Sequence, residues 1–397
     1  MTVKKITVPK GFLFSAAEAA IKKPGRRDMA LIVSIKEAVA SGMFTKNRIK
    51  AAPVRLDMKR IKSGRAQAII VNSGNANACT GVQGMRDADD MTAGIAKGMN
   101  LKKELVYVCS TGVIGTSMPM DRVREGISGL ASNIGKSSIH DVAAAIMTTD
   151  SFQKIASRKI KIGNKTTTIT GVCKGAGMIC PNMATMLCFI LTDANISKTA
   201  LNKALKSAVA GSFNRITIDG DMSTNDTVLI MANGLAGNII ITEKSFHYNR
   251  YLSALSEVTL ELSKMIVMDG EGATKLIDIE IKNAVSDRDA GKGAFAIANS
   301  LLVKTAIYGN DANWGRIMAA LGYSGMKVQE ELIDVYLNGL KVVGRGTGKG
   351  NDKKANERLR KRDVKIIVDL HLGKGKARVL TCDLTEDYVK INAGYRT

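Results

Sequence analysis

The sequence predicts a mixed fold, α/β or α+β. Apolar runs of strand length alternate with helix-spaced segments over all 397 residues, only 5 prolines interrupt them, and no low-complexity linker divides the chain. Apolar residues make up 45% of it, enough for a packed core. The length exceeds the ~250–300 residues that a single core serves, so two lobes or more are expected.

The elements follow in order. Residues 68–72 and 105–109 are short runs rich in Val and Ile, as in buried strands. Residues 87–99 and 120–130 repeat apolar side chains at helical spacing. Residues 185–192 form an apolar strand bounded upstream by a glycine-bearing loop and downstream by Asp193-Ala194-Asn195. A helix over 197–212 starts at the N-cap Ser197, and one over 287–299 at Ser286. Residues 246–268 form a longer helix, and 227–232, 278–282, 301–308, 333–337 and 364–370 are expected strands.

The run Lys174-Gly175-Ala176-Gly177-Met178-Ile179-Cys180-Pro181-Asn182-Met183-Ala184-Thr185 places one threonine between that loop and that strand. Gly175 and Gly177 allow backbone angles closed to other residues, and Pro181 fixes φ and removes an amide donor. In such a loop the Thr185 hydroxyl can attack the Ala184 carbonyl, giving an ester that water opens into two chains. Thr185 then begins a new chain, and its own α-amine serves as its base. A threonine opening an apolar strand is more often simply a strand residue, since β-branching suits the pleat.

The segment resembles the nucleophile motif of the ornithine acetyltransferase family, the glutamate N-acetyltransferases of arginine biosynthesis. The resemblance also runs through Phe44-Thr45-Lys46-Asn47-Arg48, Val71-Asn72-Ser73-Gly74-Asn75-Ala76-Asn77, Ser110-Thr111-Gly112-Val113 and Met147-Thr148-Thr149-Asp150. It continues in Ser223-Thr224-Asn225-Asp226-Thr227, Asp269-Gly270-Glu271-Gly272 and Gly309-Asn310-Asp311, and reaches Asn392 and the terminal Thr397. It implies a layered α-β-β-α sandwich, cut between Ala184 and Thr185 into an α chain of residues 1–184 and a β chain of 185–397 that assemble as an α2β2 heterotetramer. It further implies that Thr185 takes acetyl from N2-acetyl-L-ornithine as an ester and passes it to L-glutamate. Acetyl-CoA is a possible second donor, no cofactor is implied, and Thr111 and Gly112 form the oxyanion hole. Substrate contacts are implied at Thr148, Lys174, Thr185, Glu271, Asn392 and Thr397.

The chemistry suits those residues. An unperturbed α-amine titrates at about 7.7–8.0, so it can accept and return a proton near neutral pH without a histidine. The 3 histidines, His140, His247 and His371, stand outside every motif above. Lys174 suits an α-carboxylate and Glu271 the side-chain ammonium of ornithine. Departures from the family pattern are Cys180 and Cys188, which flank the nucleophile, and Gly394, where an acidic residue is usual.

The 6 cysteines form no CxxC pair and no zinc spacing with histidine. We expect free, largely buried thiols, no disulfide and no metal. No apolar stretch approaches the ~18 residues of a membrane span, and Met1-Thr2-Val3-Lys4-Lys5-Ile6 lacks the core of a signal peptide, so a cytoplasmic protein is expected.

Two other classes compete. An N-terminal-nucleophile amidase or aminopeptidase would use water as final acceptor. The net charge of +22 and the basic run 349–362 raise a nucleic-acid-binding module, but aromatics are 4% and none lies in that run, so no base-stacking platform is present. A solvated basic helix is the reading kept, with no nucleic-acid partner. Residues 130–137 end like a phosphate loop yet carry Leu130 where the first glycine belongs, and 344–350 is read as a glycine-rich turn.

Overall fold

The computed structural model describes residues 6–180 and 186–394. The first sheet contains β1 (Phe12–Ala17), β2 (Met29–Phe44), β3 (Arg65–Asn72), β4 (Val106–Ser110), β5 (Lys154–Ile162), β6 (Lys165–Lys174), β7 (Leu187–Thr192) and β8 (Thr227–Ala232). Its order is β4-β3-β2-β8-β7-β6-β5, with β1 also paired to β2.

The long β2 joins two halves of that sheet. Its first half pairs with β3 through Met29–Val33, its second with β8 through Val39–Phe44, and the register with β3 slips between Val33 and Ala38. Strand alternation shows how the halves face each other. Ile69 and Val71 of β3 share one buried cluster with Phe189 and Leu191 of β7. Their sequence neighbours Ala68 and Ile70 point instead to the helices Gly81–Met99 and Met120–Ser132. Cys188 and Ile190 point to the helices Lys198–Gly211 and Tyr248–Met268. The layers are therefore α-β-β-α, as the family resemblance implies. Because both faces of these strands are covered, they read in the sequence as continuous apolar runs and not as alternation.

A second sheet holds β9 (Leu276–Ala284), β10 (Asp334–Leu337), β11 (Leu340–Gly344), β12 (Thr347–Gly348), β13 (Asp363–Asp369) and β14 (Gly375–Cys382), in the order β12-β11-β10-β13-β9-β14. Ile277, Ile279 and Ile281 of β9 bury one face in a separate core against the helices Asp287–Asn299, Leu301–Tyr308 and Trp314–Tyr323. The alternate residues Asp278 and Glu280 pair with Arg378 and Lys365 on the other face. This lobe, with its own core, meets the expectation of more than one.

Ser197 and Ser286 cap their helices by accepting the Ala200 and Asp289 N–H groups. One expected strand is corrected: Leu301–Tyr308 is a helix. Ser300 caps it by accepting the Val303 N–H, and the buried residues Val303, Lys304, Ala306 and Ile307 fall at helical spacing, while Leu301 and Leu302 face solvent. An eight-residue apolar run satisfies both periods, and the serine before it was the deciding signal. In the basic run the helix Asp352–Leu359 buries only Ala355 and Leu359. Lys353, Lys354, Arg360 and Lys361 are exposed, as a solvated helix requires.

Candidate active site at the mouth of β7

Strands β7 and β8 are parallel and start together, Leu187 beside Thr227, with Lys174 at the end of β6 opposite Leu187. An open cleft of about 570 Å³ lies at this end of the sheet. Thr111, Gly112, Thr148, Lys174, Glu271 and Asn392 all line it, with Ser223, Thr224 and Asn225 of the segment leading into β8. Thus six residues from five separate segments of sequence converge. The other sequence-predicted site residues, Ala184, Thr185 and Thr397, lie outside the described residues. Met186, bonded directly to Thr185, is buried, and its carbonyl accepts the Thr227 N–H at 3.0 Å.

The Thr111-Gly112 turn follows β4 and is fixed from behind. The Thr111 N–H donates to the Asn72 carbonyl at 3.0 Å, and Asn225 Nδ2 donates to the Ser110 and Ala76 carbonyls at 2.8 and 2.6 Å. Gly112 has φ +131°, and a Cβ there would stand 2.3 Å from the Gly74 carbonyl carbon. Only glycine fits that approach. Among the described residues neither the Gly112 N–H nor the Thr111 hydroxyl has an acceptor, which leaves two donors on one wall of the cleft.

Lys174 belongs to a buried ionic cluster that the sequence reading did not assemble. Asp150 lies 3.8 Å from the Lys174 ammonium and 2.7 Å from that of Lys154, and Lys154 also pairs with Asp269. Two cations thus face two carboxylates. Burial acts to raise the Asp150 carboxyl, but Lys174 and then Lys154 outweigh it and hold it below the ordinary carboxylate range. Burial likewise acts to lower the Lys154 ammonium, and Asp150 and Asp269 reverse that. Asp150 also accepts the Gly175 and Thr148 N–H groups at 2.7 and 3.0 Å, tying both cleft segments to one carboxylate. At 3.8 Å the Lys174 contact is longer than a hydrogen bond, so its ammonium keeps donors for a carboxylate in the cleft.

Glu271 stands on the loop between the helix Tyr248–Met268 and β9. Its N–H donates to the Ala176 carbonyl at 2.8 Å, and its carboxylate accepts from Asn392 Nδ2 at 2.9 Å. Asn392 is carried by the C-terminal helix Glu386–Gly394, which packs on Gly272 so closely that a Cβ there would sit 2.6 Å from the Tyr388 nitrogen. Asp219 holds the loop before the nucleophile by accepting the Met178 and Ile179 N–H groups at 2.5 and 2.9 Å. Met178 takes φ +57°, a left-handed angle costly for a residue with a side chain.

None of the histidines borders the cleft. His140 is exposed beside Gln153, His247 starts a helix, and His371 lies beside Asp334 in the second lobe. Burial pushes the Cys180 thiol up to about 11, aided by Asp219, Asp221 and Asp226, and burial raises Cys188 as well. Neither is a thiolate nucleophile near neutral pH. Cys109, Cys173, Cys188 and Cys382 are buried, whereas Cys79 is exposed and Cys180 half-buried. Among the described residues no group of acids, cysteines and histidines is arranged to hold a metal, and no helix is long and apolar enough to cross a membrane.

A family model described as the ArgJ family matches residues 13–397. The arginine biosynthesis bifunctional protein ArgJ of Geobacter sulfurreducens is 52% identical over 390 residues, 98% of this chain and 99% of the relative. That of Caldanaerobacter subterraneus is 49% identical over 398 residues, 99% of this chain and 98% of its own. The crystal structure of arginine biosynthesis bifunctional protein ArgJ from Bacillus halodurans matches at 47% identity and TM-score 0.51, covering 52% of this chain and 98% of the solved one.

Proposed function

The chain belongs to the ArgJ family, and from that premise we propose that it moves acetyl from N2-acetyl-L-ornithine to L-glutamate through an ester on Thr185. The family makes it an acyltransferase of arginine biosynthesis. The observation that carries the finer reading is the convergence of Thr111, Gly112, Lys174 and Glu271 on one cleft at the mouth of the strand that Thr185 precedes.

Each step follows from what those groups can do. The Thr185 hydroxyl attacks the acetyl carbonyl and its α-amine takes the proton. The Thr111 hydroxyl and the Gly112 N–H receive the developing oxyanion, as preorganised donors without other acceptors. The α-amine returns the proton to the leaving nitrogen of ornithine. Glutamate enters the same cleft and takes the acetyl group by the reverse sequence, a ping-pong cycle. Lys174 meets the α-carboxylate common to both substrates. Glu271, held by Asn392, meets the ammonium that ornithine has and glutamate lacks.

The proposal includes scission between Ala184 and Thr185, giving chains 1–184 and 185–397 that assemble as α2β2 in the cytoplasm. Its support is the Bacillus halodurans chain, which is matched over 98% of itself yet spans about half of this one. Thr397 is placed among the substrate contacts because Asn392, five residues earlier, already reaches the cleft. Acetyl-CoA is proposed as an alternative donor, with no cofactor.

Incubation with N2-acetyl-L-ornithine and L-glutamate tests the reading. Acetylglutamate and ornithine formed in equal amounts support it. Free acetate without acetylglutamate assigns the site to an amidase.

A further inference from the structure

We infer that a basic pocket beside the cleft, centred on Arg26, receives the side-chain carboxylate of the acceptor glutamate. This rests on the acetyl transfer proposed above and names the part of the site that selects its second substrate. Glutamate brings two carboxylates. Among the described residues that line the cleft, Lys174 is the single cation, and it meets the α-carboxylate. Glu271, which suits the ammonium of ornithine, repels a carboxylate at the same place. The glutamate side chain therefore needs a second cation, away from the ornithine position.

The adjoining pocket supplies it. This opening of about 710 Å³ is bordered by Lys22, Lys23, Arg26 and Asp28 of the loop between β1 and β2, and by Ser73, Gly74 and Thr148. Three cations thus face one carboxylate, and that carboxylate is already engaged: Asp28 accepts the Ala19 and Ile21 N–H groups at 2.7 and 2.6 Å. Thr148 lines both the pocket and the cleft. Gly74, on the pocket wall, is also the residue against which Gly112 packs. The two spaces therefore meet beside the Thr111-Gly112 turn.

Arg26 is fixed in its place. Its Nη2 donates to Ser73 Oγ at 3.0 Å and to the Met147 carbonyl, and the fully buried Ser73 donates in turn to the Ala145 carbonyl at 2.7 Å. Among the described residues Nε and Nη1 have no acceptor, so a positioned guanidinium keeps donors for a carboxylate. Met147 is bonded to Thr148, whose N–H donates to the Asp150 oxygen that also faces Lys174. One peptide unit and one carboxylate oxygen thus link the head groups of Arg26 and Lys174. The carboxyl carbons of an extended glutamate lie roughly 5 Å apart, across carbon–carbon bonds of about 1.5 Å. With a hydrogen bond at each end the molecule spans from Lys174 to Arg26. Ornithine, whose side chain ends in an ammonium, is repelled from this pocket and turns to Glu271.

The test is Arg26→Gln in the full chain, assayed in two reactions that differ only in the acceptor. Transfer from N2-acetyl-L-ornithine to L-glutamate uses the pocket, and exchange of acetyl between N2-acetyl-L-ornithine and isotopically labelled L-ornithine does not. The KM for glutamate should rise by about 10-fold or more, the scale of a lost hydrogen bond to a charged group. The preference for glutamate over glutamine as acceptor should narrow. Exchange should keep its wild-type rate, whereas a merely structural loss would slow both reactions together. Lys23→Gln, at an exposed position, should raise the same KM by a smaller factor. An unchanged KM for glutamate in Arg26→Gln, or equal losses in transfer and exchange, overturns the inference. A wild-type chain that forms no acetylglutamate instead removes the transfer reading itself. If Arg26→Gln does not fold, Lys23→Glu decides: a raised KM for glutamate with exchange intact supports the pocket, and an unchanged one contradicts it.

Discussion

The Glu271 carboxylate lies directly over Gly177, where an added Cβ would stand 2.5 Å from Oε2. The loop that precedes the nucleophile and the loop that carries the acidic substrate contact are thus fitted to each other through one missing side chain. Gly177→Ala must displace Glu271, and with it the grip of Asn392. We expect the KM for N2-acetyl-L-ornithine to rise by roughly 10-fold or more, the scale on which a misplaced contact acts. An unchanged KM would place the substrate elsewhere.

Glu271→Gln separates charge from shape. It keeps an acceptor for Asn392 but removes the negative charge, so the KM for acetylornithine should rise while that for glutamate moves little. Steady-state kinetics with each substrate varied in turn checks this, and equal effects on both would remove the ammonium contact.

Thr111→Val removes one donor of the oxyanion pair while keeping the branched shape. Because the Thr111 hydroxyl supports no other described group, kcat should fall by about 10²–10³ with little change in melting temperature. Gly112→Ala should instead lose both activity and stability, since its Cβ would run into the backbone of Gly74 and Asn75.

The Asp150 cluster sets a pH window for stability. The Asp150 carboxyl is lowered in the folded chain, so its contribution is fully present above the unfolded value of about 3.9 and is lost as pH falls through the folded one. The Lys154 ammonium is raised, so its contribution is fully present below about 10.4 and is lost as pH rises through the folded value. Asp150→Asn leaves two buried cations facing one carboxylate and should cost roughly 3–5 kcal/mol near neutral pH. Urea unfolding measures it, and the difference from wild type should shrink below pH 4.

Removing residues 395–397 should lower activity without unfolding the protein, because the helix Glu386–Gly394 stays anchored through Gly272 and Asn392. Insoluble truncated protein would give the terminus a structural role.

The central strands were legible because they are buried on both faces, and the two capped helices because Ser197 and Ser286 announce them. Residues 301–308 were not, since their apolar run fits two periods. β2 escaped notice for another reason: its buried apolar run Met29-Ala30-Leu31-Ile32-Val33 is followed by the exposed Ile35 and Lys36 and by a half rich in alanine, serine and glycine, and its bend joins two half-sheets. Of the site, residues whose chemistry is visible singly, such as Thr111, Lys174 and Glu271, were named from the resemblance. Asp150, Lys154, Asp269, Asn225 and Asp226 act through burial and partners far along the chain. Asp150 and Asp269 are 119 positions apart yet share Lys154. All but Lys154 sit in motif segments that carry the resemblance, and for Asp150 and Asp226 a lone acid within an otherwise uncharged segment was the available signal.

The most direct measurement is the mass of the 185–397 chain after brief exposure to N2-acetyl-L-ornithine without glutamate. One added acetyl group, located on Thr185 by peptide mapping, absent from Thr185→Ala and discharged by glutamate, is the predicted result. Acetylglutamate formed at the wild-type rate by Thr185→Ala, or a chain that never carries acetyl, would contradict the account.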